Sequence, residues 1–80
     1  MDKTSRFTVS PTPAQSVIYI KGNNIQLVQV IDNAGRIVLT EKVNNQNVHQ
    51  LSVSHLAKGL YMVNIKDKEG NRQTEKLVIQ

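Results

Sequence analysis

The feature that most constrains this chain is an apolar alternation with a period of two, repeated in short segments and broken each time by Gly, Asn, Asp or Pro. Tyr61, Val63 and Ile65 fall on one side of such a segment, with Met62 and Asn64 on the other, and Leu51-Ser52-Val53 repeats the pattern. Successive side chains of a strand point to opposite faces, so this period belongs to half-buried strands rather than to helices. The segments are also filled with β-branched residues, which pack well on a pleated surface. About seven strands are predicted, at the spacing of an antiparallel sandwich. They lie near Phe7 to Ser10, Ser16 to Lys21, Gln26 to Asp32, Arg36 to Val43, Val48 to Val53, Gly59 to Asp67 and Arg72 to Ile79. The fold class is therefore all-β.

The interruptions read as corners. Gly22, Gly35, Gly59 and Gly70 each stand where the alternation fails, three of them within two residues of an Asn. Glycine reaches positive φ without steric cost, and short polar side chains bond the turn backbone. Pro11-Thr12-Pro13 cannot continue a central strand and marks a kinked crossing after the first strand. One helical turn is predicted at Ser54 to Gly59, with Ser54 as its cap and Gly59 as its end. The polar segment 1–6 reads as a flexible lead-in, and 7–80 as a single domain.

At 80 residues with no cysteine, neither a disulfide framework nor a Cys-based zinc site is available. A chain near this size buries only about 60% of its unfolded surface, so one economical core has to suffice. His49 and His55 have no carboxylate or Cys near them in sequence, and Ser54 beside His55 has a capping role instead of a triad geometry. No two glycines lie close enough to build a phosphate loop. No catalytic residue, cofactor or metal site is expected. The longest apolar run, Leu60 to Val63, is far shorter than the roughly 18 residues of a spanning helix.

The net charge of +4 permits attraction to anionic partners. Yet Lys21, Arg36, Lys42, Lys58, Lys66, Lys68, Arg72 and Lys76 are scattered, several beside acids, and read as a solvated mixed-sign surface. Phe7, Tyr19 and Tyr61 lack the spacing of a base-stacking platform, so nucleic acid is not expected as a partner.

Four blocks, taken in order, carry a resemblance. They are Ser10-Pro11-Thr12-Pro13-Ala14, Val30-Ile31-Asp32-Asn33-Ala34-Gly35-Arg36-Ile37-Val38, Leu56-Ala57-Lys58-Gly59-Leu60-Tyr61-Met62-Val63 and Glu75-Lys76-Leu77-Val78-Ile79. Together they resemble the C-terminal sorting domain of the type IX (Por) secretion system of Bacteroidetes, over nearly the whole chain from Phe7. The resemblance implies a small immunoglobulin-like β-sandwich that serves as the address of a secreted cargo, read by the outer-membrane translocon, and not an enzyme. It implies passage through the periplasm to the cell surface or medium. A sortase-like surface peptidase would then cut upstream of the domain and join the cargo to anionic lipopolysaccharide. Ser10 and Thr12 depart from the family's usual aromatic and Asn at those places. The family's cargoes start with a Sec signal peptide, so Met1 reads as the start of an excised domain.

The family's motif positions fall on Pro11, Pro13 and Ala14, on Asp32, Gly35 and Arg36, on Leu56, Lys58, Gly59 and Tyr61, and on Lys76, Leu77 and Val78. Arg36 either offers a guanidinium fork to a partner's carboxylate or phosphate, or simply lies along the surface. Gly59 reads as a backbone requirement, Tyr61 as a core ring with its hydroxyl at the rim, and Lys58 as the group free to meet a partner. The final strand, Lys76-Leu77-Val78-Ile79-Gln80, is expected to present an uncovered main-chain edge to the translocon or to a second copy of the chain. Contact with anionic lipopolysaccharide would be weak, indirect and reduced by salt. Two other readings stand beside this one: a small carbohydrate-binding or adhesion module, disfavoured by the absence of Trp, and a retained domain of a secretion-machinery component.

Overall fold

The computed structural model describes residues 7–80. The lead-in proposed for 1–6 lies outside the described residues. The described residues are all-β, and their five strands pair antiparallel: β1 (Thr8–Ser10), β2 (Val17–Asp32), β3 (Ile37–Ser52), β4 (Gly59–Asp67) and β5 (Arg72–Ile79). The order is β1-β2-β4-β5, with β3 on the other side of β2.

The expected seven strands become five because two breaks are crossed without a reversal. Ser16–Lys21 and Gln26–Asp32 merge into β2, and Arg36–Val43 and Val48–Val53 merge into β3. Asn24 and Asn45 take the left-handed conformation, at φ 54° and 52°, and the β2–β3 register shifts on both sides of Ile25. Asn tolerates that conformation because its side chain bonds locally. Here the side-chain oxygen of Asn47 accepts from the Asn24 amide at 3.1 Å, and that of Asn45 accepts from Gln26 Nε2 at 3.2 Å. The long hairpin is thereby bent. Its first half pairs with β1 and its second with β4. Gly22 lies within β2 and is not a corner.

The bend brings two apolar faces onto one core. Ile18, Ile20, Leu51 and Val53 from the first half join Val28, Val30, Val63, Ile65, Leu77 and Ile79 from the second, with Phe7 and Ala14 between them. Burying a side chain of this kind contributes about 1.5–3 kcal/mol, so this shared core is the main source of stability. β3 borders the sheet, and its core-facing positions include Glu41, opposite Val28, and His49, opposite Ile20. Inward charged or polar residues on a bordering strand discourage pairing with another chain.

Segment 54–58 forms a turn, not a helix. It is closed by a single bond from the Leu56 amide to the Val53 carbonyl at 3.0 Å. Six residues bounded by a strand on each side leave no room to propagate a helix.

Candidate recognition surface

The β2–β3 hairpin is organised by one carboxylate. Asp32 Oδ1 accepts from the amides of Ala34 and Arg36, both at 2.9 Å, and Oδ2 accepts from Arg36 Nε at 3.2 Å. Gly35, at φ 86°, donates its amide to the Asp32 carbonyl at 3.0 Å. A type I turn ending in a left-handed glycine is one of the standard hairpin closures. The Arg36 amide, opposed by some desolvation and helped by the Ala34 amide and the Arg36 charge, holds the Asp32 carboxyl below its ordinary value of 3.8. Arg36 is 79% exposed in its side chain, with Nε committed to Asp32.

Tyr61 follows β4's first turn of pleat and is buried to 7% exposure, while its hydroxyl donates to the Ala57 carbonyl at 2.7 Å. That bond straps the 54–58 turn to the core. Gly59 opens β4 at φ 150°, a conformation that L side chains rarely adopt, and a Cβ there would meet nothing within 4 Å. The requirement at Gly59 is therefore conformational and not one of space. Lys58, just before it, is exposed.

The final strand differs from expectation in one respect. Its terminal edge is covered. Ala14 forms a parallel bridge with Ile79, its amide donating to the Val78 carbonyl at 2.7 Å and its carbonyl accepting from the Gln80 amide at 2.9 Å. Thr12 Oγ1 accepts from the Val78 amide at 3.3 Å. Further along, Gln73 clamps Phe7, accepting from its amide at 3.3 Å and donating to its carbonyl at 2.9 Å. The segment between β1 and β2 carries the chain to this border, and both Ser10-Pro11 and Thr12-Pro13 in it are cis. Leu77 and Ile79 turn their side chains into the core, so the outward side chains of this strand's end are Lys76, Val78 and Gln80.

All four motif blocks meet at one end of the molecule. Asp32 lies opposite Tyr61, Tyr61 opposite Leu77, and Gly59 opposite Ile79, which in turn carries Ala14. The next row joins Ile31, Met62 and Lys76. Around this end stand residues that the sequence reading overlooked. Ile37 and Leu60 are 56% and 43% exposed, and Val38 is exposed beside them. The signal was present in Ile37-Val38-Leu39, where three consecutive apolar residues cannot all face inward; only Leu39 packs on the core.

The geometry is that of an all-β domain whose separated blocks assemble at one end around its last strand. Over residues 8–80 the sequence matches the family described as the secretion system C-terminal sorting domain. The chain belongs to that family. It is a C-terminal signal of type IX secretion, interacting with that machinery and directing export to the cell surface or out of the cell. No curated protein matches the chain.

Proposed function

We propose that the end assembled from the four blocks is the face a translocon subunit reads, and that the domain acts by recognition alone, without catalysis. The observation that carries this reading is the strand register that brings the blocks bearing Arg36, Lys58 and Lys76 to one end, where Ile37, Val38 and Leu60 are exposed. Apolar contact area with a few cations at its border suits a protein partner. In this reading the cargo passes through the periplasm, a sortase-like surface peptidase cuts upstream of Phe7, and the cargo is joined to anionic lipopolysaccharide.

The same reading makes the domain an immunoglobulin-like sandwich. Its support is the bent β2–β3 hairpin, whose halves contribute to both sides of the core, and the Tyr61 hydroxyl bonded four residues upstream at the corner before its strand, as in the tyrosine corner of such folds. With the β5 border occupied by Ala14, the C-terminal strand is not the edge through which a second copy would pair.

The test is a reporter carrying a Sec signal peptide fused to residues 1–80 in a type IX-competent bacterium. Delivery to the surface or medium that disappears in a translocon-deficient strain is the expected result. Retention of a folded fusion in the competent strain's periplasm would refute it.

A further inference from the structure

The outer face of the β3-β2-β4-β5 part of the sheet carries a row of cations that the linear sequence conceals. Leu27 stands opposite both Lys42 on β3 and Lys66 on β4, and Lys66 stands opposite Arg72 on β5. With strands about 4.8 Å apart, three positive charges lie within roughly 14 Å on one line across the sheet. They flank Leu27 in two shallow concavities of about 330 and 110 Å³, Lys66 lining both. Among the described residues, no acidic side chain on this face neutralises them. Glu41 and Glu75 lie opposite core-facing Val28 and Val63, Asp32 and Asp67 are bound in their hairpins, and Glu69 sits on the turn beyond β4. None of the three cations has an ion pair among the described residues.

One register step along the strands runs a parallel row of neutral polar groups. Thr40 lies opposite Gln29, Gln29 opposite Asn64, and Asn64 opposite Thr74. Gln29 and Asn64 line the smaller concavity together with Lys66 and Arg72. Like charges held this close repel one another within a Debye length of about 8 Å, and an anion relieves that repulsion. An extended ligand carrying repeated charges matches a row, and one carrying hydroxyls beside those charges matches two rows. Side-chain amides can both donate to and accept from hydroxyls. No aromatic ring is available in either row to stack a base.

We propose that this face binds an anionic polysaccharide, its carboxylates or phosphates held by Lys42, Lys66 and Arg72 and its hydroxyls by Gln29 and Asn64. The site shares the outer face of β5 with Lys76 but is centred two register rows away from it, and its test does not depend on the translocon reading.

The experiment measures binding of the 80-residue chain to polygalacturonate, with dextran, poly-glutamate and single-stranded DNA as comparison probes, and maps amide shifts by NMR. Polygalacturonate is expected to shift the amides around Leu27, Lys42, Lys66 and Arg72, to bind more weakly as salt is raised, and to outcompete the other three probes. Lys42→Gln/Lys66→Gln/Arg72→Gln should weaken it by about tenfold or more, as loss of charge-assisted bonds does. Lys21→Gln/Lys68→Gln, which removes charge at exposed lysines outside both surfaces, should change it less than about twofold, as for screened surface charges. Gln29→Ala/Asn64→Ala should weaken polygalacturonate and leave poly-glutamate unaffected. The wild-type shift map decides the location even if a variant fails to fold. Shifts elsewhere, equal loss in both charge variants, or equal or tighter binding of poly-glutamate or DNA would overturn the proposal.

Discussion

Asp32 and Asp67 make the same bonds in two different hairpins. Each Oδ1 accepts from the amides two and four residues on, at 2.9 Å in all four cases. Each Oδ2 accepts from the side chain four residues on, Arg36 Nε in one and Asn71 Nδ2 in the other. Each backbone carbonyl receives the amide of a glycine at positive φ, Gly35 or Gly70. The β2–β3 and β4–β5 connections are thus one loop design used twice, Asp-x-x-Gly followed by a side-chain donor. They differ in burial: Asp67 is 6% exposed and its bonds are part-buried, whereas Asp32 is 15% exposed in its side chain and the residues 33–36 that it bonds are exposed.

Removing the two carboxylates should therefore not cost the same. Asp67→Ala leaves the part-buried amides of Glu69 and Asn71 without their acceptor, which costs up to about 1–3 kcal/mol per unsatisfied group. Asp32→Ala exposes its freed amides to water and should cost clearly less. Thermal unfolding of both variants checks the order, and an equal or reversed loss would show that burial does not decide it.

Asp32 also sets a pH dependence. Its folded pKa lies below the ordinary 3.8, so its contribution is fully present above that value and is lost as pH falls through the folded pKa. Asp32→Asn should therefore lower the melting temperature at pH 6, with the gap to the parent narrowing below pH 3.8. A gap independent of pH would contradict this.

Gly59→Val should cost roughly 1–3 kcal/mol, the penalty for a strained backbone conformation, although there is room for the side chain. An unchanged melting temperature would show that the backbone relaxes without penalty.

Tyr61→Phe keeps the buried ring and deletes only the bond to Ala57. A loss of about 1 kcal/mol is expected, from one hydrogen bond and its orphaned carbonyl. In a domain of this size that corresponds to a fall of about 4–8 °C in Tm. Chemical denaturation with an unchanged midpoint would mean that water replaces the hydroxyl without cost.

The strands, the hairpin corners at Gly35 and Gly70 and the rim position of the Tyr61 hydroxyl were legible because each is written in local pattern. The bend at Asn24 and Asn45 was not. A polar Asn tract shows where alternation stops, but whether the chain reverses or only bends depends on the partner strand opposite it. The cover over the last strand was hidden for a similar reason, since Ala14 and Ile79 are joined across nearly the whole chain. The row of Lys42, Lys66 and Arg72 is scattered in sequence and aligned only by register.

The covered strand changes how the address should be tested. Deleting Lys76 to Gln80 removes Leu77 and Ile79 from the core and the bonds to Ala14, so loss of export would follow from unfolding alone. The direct measurement keeps the fold and alters the surface: export of a Sec-targeted reporter fused to the chain carrying Lys58→Glu and Lys76→Glu, with Tm recorded alongside. Normal melting with export reduced at least to the level of a translocon-deficient strain is the expected result. Undiminished export from the folded variant would show that the assembled end is not the face that the secretion machinery reads.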